Sequence, residues 1–105
     1  MNAVEFLQSW YQAQATGAWE RIRGVTIETL DTPGWMVTID LAGTALDGRS
    51  MAAIQAERSA TDWLLCEVEQ NQFRGQGDSQ KLLVVLEIFR NWASASSTGL
   101  TEPPS

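Results

Sequence analysis

The chain has 105 residues, 44% of them hydrophobic, with five tryptophans and thirteen acids against seven bases. That length supports one packed core and is too short for two domains. A net charge of −6 repels phosphate backbones and argues against nucleic acid as a partner, and no run approaches the roughly 20 apolar residues of a membrane span.

The chain opens without a basic-then-apolar leader, and its single cysteine, Cys66, cannot form an internal disulfide. Both features point to the cytoplasm. "NAVEFLQSWYQAQATG", residues 2–17, is expected to be a helix. Asn2 caps it, Glu5 stands three residues on as in a capping box, and Gly17 ends it. Val4, Leu7, Trp10 and Tyr11 form its apolar stripe, with Phe6 at the margin.

"GVTIETL" and "WMVTIDL" alternate as strands, with Val25, Ile27 and Thr29 on one parity and Trp35, Val37, Ile39 and Leu41 on another. Pro33 and Gly34 between them carry the signature of a type II turn. "GTALDG" is a connector. "MAAIQAERS", residues 51–59, fits strand or helix; the short turn "SATD" that follows favours a strand. In "WLLCEVE", Leu64, Cys66 and Val68 point inward. "QNQFRGQGD" reads as a loop. "SQKLLVVLEIFRNWASA" is a second helix capped by Asp78 or Ser79, its core face made of Leu82, Val85, Leu86, Phe89 and Trp92.

The expected architecture is therefore α+β: a four-stranded antiparallel sheet, within a range of three to five, with N- and C-terminal helices packed on one face. Residues 1–93 form a single domain and 94–105 a disordered polar tail.

Chemistry is scarce. Without histidine there is no Ser-His-Asp or Cys-His site and no histidine-containing metal centre. Cys66, alternating with Leu64 and Val68, is a structural thiol. "GQG" at residues 75–77 lacks the Lys-Ser/Thr sequel of a phosphate-binding loop. No cofactor or metal is expected.

The sheet face turned away from both helices is more informative. Parity assigns to it Thr26, Glu28, Thr38, Asp40, Gln55, Glu57, Trp63, Glu67 and Glu69, with Asp31 at an exposed loop tip. Such a face is either ordinary solvated surface or a docking surface for a basic partner, with Trp63 as its apolar anchor. The partner-binding candidates are Glu28, Asp31, Asp40, Glu57, Trp63, Glu67 and Glu69. Trp35, by parity, belongs to the core. Trp19 is placed to clamp the first helix to the sheet.

"WY" at residues 10–11, "GAWE" at 17–20, "IETLDTPGWMVTIDL" at 27–41, "ERSATDWLLCEVE" at 57–69, "FRGQG" at 73–77 and "LEIFRNW" at 86–92 together resemble the immunity protein 53 family of bacterial polymorphic toxin systems. The chain departs from the pattern at Ala18, where an acid is expected, at Arg21 in place of His, and at Thr32 in place of Asn. The resemblance implies a cytoplasmic, non-enzymatic protein, monomer or homodimer, that binds and neutralises a co-encoded basic toxin. A nuclease is one such toxin, since its groove must be electropositive to hold phosphates. Two other classes stay open on the residues alone. One is a small carboxylate-dependent hydrolase or metal-binding enzyme, and the other is a structural or oligomerisation domain.

Overall fold

Asn2 starts the first helix as its neighbours predict. Its Oδ1 accepts the Glu5 N–H at 2.8 Å, and the Glu5 carboxylate accepts the Asn2 N–H at 3.0 Å, so both halves of the capping box are made. Helix α1 then runs Ala3–Gln14. The structure is a computed structural model that describes residues 1–15, 17, 19 and 24–101, the last six of these for backbone alone.

The buried stripe of α1 is the expected one in part: Leu7 and Trp10 pack against the core, joined by Phe6 from the margin. Ala3 is buried and Phe6 and Trp10 pack against the core, while Val4 and Tyr11 are 54% and 40% exposed. The stripe is thus turned towards Ala3 and Phe6 and away from Val4 and Tyr11, and aromatic packing sets that angle. Phe6 and Trp10 meet Phe89 edge-on, with ring centroids 6.2 and 5.3 Å apart, within the range of a favourable aromatic pair. Trp19 acts as the clamp. It is buried, its ring lies 5.7 Å from that of Trp10, and its indole N–H donates to the Asp40 carbonyl at 3.2 Å.

Five antiparallel strands follow: β1 (Val25–Leu30), β2 (Gly34–Asp40), β3 (Ile54–Ser59), β4 (Asp62–Glu69) and β5 (Gln72–Gly77). Their order across the sheet is β1-β2-β5-β4-β3. Residues 54–59 are thus strand, not helix. The last strand corrects the sequence reading, which treats residues 70–78 as a loop. Only Gln70 and Asn71 turn, both with positive φ, as a two-residue type I′ hairpin requires. The glycines beyond them serve packing. A Cβ on Gly75 would strike the Val85 side chain, and one on Gly77 would lie 2.6 Å from Cβ of Lys81.

The β1–β2 connection also differs from the expected type II turn. Asp31, Thr32 and Pro33 make the turn, with a cis Thr32–Pro33 bond, and Gly34 already pairs with Leu30 in the sheet. Gly34 is needed there because a Cβ would run into the Gly77 carbonyl oxygen.

Helix α2 (Leu82–Thr101) crosses β5, β2 and β4, and α1 packs against α2. Both therefore lie on one side of the sheet. Val37, Ile39, Cys66, Phe73, Val85 and Phe89 are almost wholly buried between the layers. Leu46, from the connector after β2, adds a plug the sequence reading omits. The Trp92 indole N–H donates to the Ser50 carbonyl at 3.0 Å and ties that connector to α2. The backbone of α2 is helical through Thr101.

Candidate functional site

Directly paired residues of an antiparallel ladder share a face, so the register assigns the uncovered side. One row runs Glu28, Met36, Gln76, Leu65, Gln55 across all five strands. The next holds Thr26, Thr38, Arg74 and Glu67, and a third Asp40, Gln72 and Glu69. Beyond the first row, Glu57 pairs with Trp63. Glu28, Asp40, Glu57, Trp63, Glu67 and Glu69 therefore stand together on the side without helices. Asp31 is exposed at the β1–β2 turn, outside these rows.

The face is not uniformly acidic. Arg74, assigned to a loop by the sequence, sits near its centre. Its guanidinium donates to the Glu69 carboxylate at 3.3 Å and to the Gln70 and Gln72 side-chain oxygens at 3.4 and 3.1 Å. Glu67 lies directly opposite Arg74 in the ladder, yet the guanidinium turns to Glu69. Asp40 Oδ1 accepts the Ala42 N–H at 3.1 Å and so shapes the connector as well as the face. Met36, Leu65 and Gln76 complete the surface, an apolar and amide strip between carboxylates at either edge. Gln76 and Arg74 escaped the sequence reading because their strand did.

Trp63 is held unusually firmly. Its N–H donates to Asp78 Oδ2 at 2.8 Å, and its carbonyl accepts the Asp78 N–H at 3.2 Å. Asp78 is 2% exposed. Lys81 Nζ reaches Asp78 at 2.7 Å and Asp62 at 2.9 Å. The Lys81 hydrogen bond, aided by the Gln80 and Trp63 N–H groups, holds the Asp78 carboxyl down at about 2 against a burial effect in the opposite direction. The same lysine lowers Asp62, and the two carboxylates raise Lys81. This cluster fixes the entry to α2 against β4, directly beneath Trp63.

Elsewhere the residues offer little chemistry. Cys66 is fully buried and its thiol is pushed up to about 12 by that burial, which suppresses the reactive thiolate. Among the described residues no three of Cys, Asp and Glu gather as metal ligands would. Glu28 and Glu57 sit on opposite edge strands, four strand spacings of about 4.8 Å or some ~19 Å apart, too far to work on one bond. A separate hollow of about 240 Å³ between α1 and β1 is lined by Val4, Leu7, Tyr11 and Val25. No helix is long and apolar enough to cross a membrane.

A family model described as immunity protein 53 matches residues 4–94. The chain belongs to the immunity protein 53 family. It is thus an immunity protein, a class whose members bind a cognate toxin. No curated protein and no solved structure matches it. Of its departures from the expected family pattern, Thr32 is exposed in the β1–β2 turn, whereas Ala18 and Arg21 lie outside the described residues.

Proposed function

We propose that this immunity protein neutralises a basic, co-encoded toxin in the cytoplasm by docking the helix-free face of its sheet onto it. The observation that carries the reading is the shared side of Glu28, Glu57, Trp63, Glu67 and Glu69, opposite both helices. Carboxylates at the margins steer a cationic surface into contact. Met36, Leu65 and Trp63 between them supply the apolar centre that a stable interface needs. Against a nuclease, the face would lie in the electropositive groove made for phosphates.

The test uses the protein encoded beside this gene, in an inactivated form. Its association rate should fall at least about tenfold as salt rises from low to physiological strength, because exposed charges more than about 8–10 Å apart are then screened. The E28K/E57K/E67K variant should associate more slowly and lose most of that salt dependence. Unchanged kinetics in the reversed variant would remove the open face from consideration.

A further inference from the structure

We infer that the hollow between Glu57 and Trp63 on the open face is a receptor for one arginine side chain of the partner, an inference that rests on the docking reading above. The hollow measures about 170 Å³ and is walled by Gln55, Glu57, Trp63, Leu65 and Gln76, room for a side chain rather than a single water of ~30 Å³.

Its walls suit one chemistry. Glu57 stands directly across the ladder from Trp63, so a carboxylate and an indole face the same space. Gln55 and Gln76 lie on either side of Leu65 in one row and bring amide oxygens that accept hydrogen bonds. A guanidinium is planar, stacks on an indole and still presents five N–H donors at its edges. An ammonium is compact and strongly hydrated, and exploits the flat aromatic wall less well. Among the described residues Glu57 has no ion pair, so its charge is available to a partner.

Trp63 itself behaves as a presented group. Trp19, Trp35 and Trp92 each donate an indole N–H to a backbone carbonyl of the fold. The Trp63 indole N–H has no such acceptor among the described residues, while its backbone is clamped at both ends by Asp78. The clamp fixes the backbone position of Trp63, and its indole N–H is left for a ligand.

The experiment titrates the full chain with N-acetyl-arginine amide and, separately, N-acetyl-lysine amide, following the Trp63 indole and the Gln55 and Gln76 side-chain amides by NMR. The arginine compound should shift these signals saturably, at least about fivefold more tightly than the lysine compound. E57Q and W63F, both conservative, should each weaken it by about three- to tenfold, the range of a partly exposed ion pair or cation–π contact. Equal binding of lysine, or shifts spread evenly over Glu28 and Glu67, would overturn the assignment, as would the absence of saturable shifts. Binding to the neighbouring gene's product separates the two ideas. If E57Q and W63F bind it like wild type while E28K/E67K binds poorly, the arginine receptor is wrong and the docking face stands. If all of them bind like wild type, both fall.

Discussion

Gly75 and Val85 are in such close contact that a single methyl group on the glycine would overlap Cγ1 of the valine. The contact joins the central strand to the helix that covers it. Replacing Gly75 by alanine should destabilise the protein by ~1–3 kcal/mol through overpacking. Val85→Ala in the same chain should recover part of that loss. A urea-denaturation double-mutant cycle gives the answer, and purely additive effects would show that the glycine is there for another reason.

Acid should attack the α2 entry first. The folded Asp78 carboxyl sits at about 2 and that of Asp62 is also lowered, both from an ordinary 3.8. A depressed carboxyl stabilises the fold fully above its unfolded value and ceases to do so as pH falls through the folded one. Stability should therefore drop as pH goes from about 4 towards 2. The raised Lys81 acts at the other extreme, losing its contribution only above its ordinary 10.5. Thermal melts of D78N across the acid range should show a lower starting stability and a shallower decline than wild type.

The rotated stripe of α1 predicts unequal costs for apolar residues. Phe89 is 1% exposed and joins Phe6, Trp10 and Phe73, so Phe89→Ala should cost ~3–5 kcal/mol. Val4, more than half exposed, should tolerate serine within about 0.5 kcal/mol. A large loss in V4S, measured by chemical denaturation, would restore the stripe that spacing alone suggests.

Arg74 lessens the negative field of the face it occupies. Arg74→Gln takes the net charge from −6 to −7, one positive charge fewer. Its association with the neighbouring gene's product should quicken by a few-fold at low salt, a small part of the ~10–1000-fold range of full steering. Stopped-flow measurements at two salt concentrations are sufficient, and a slower R74Q would mean that the arginine itself touches the partner.

Cys66 offers a reporter of opening. Buried, with its thiol held near 12, it should resist disulfide reagents at pH 8 in the folded protein and react at once in denaturant. Rapid labelling without denaturant would contradict the packing around β4.

The parity of the open face was legible in the residues because period-two alternation needs no knowledge of strand neighbours. Glu28, Glu57 and Trp63 could be assigned to one side before any pairing was known. The strand Gln72–Gly77 was not legible, since Gln, Arg and Gly are also the residues of turns. Its alternation was present, with Gln72, Arg74 and Gln76 outward and Phe73, Gly75 and Gly77 inward, but glycine carries no apolar signal. Only the helix packed over it reveals why those positions lack side chains. On α1, spacing placed Leu7 and Trp10 on the core side, but the margin at Phe6 became part of the core and Val4 and Tyr11 did not, because the ring of Phe89 on the other helix meets Phe6 and Trp10.

The last strand to leave the ribosome is the middle one. Until β5 emerges, the two hairpins, β1 with β2 and β3 with β4, have no strand to pair them, and each offers a bare inner edge of unpaired amides and carbonyls. Insertion of Gln72–Gly77 closes both edges in one event and lays down the platform for α2. A nascent chain stopped short of Gly77 would hold two separate ribbons, so the helix-free face of the sheet comes into being as a unit, late in synthesis.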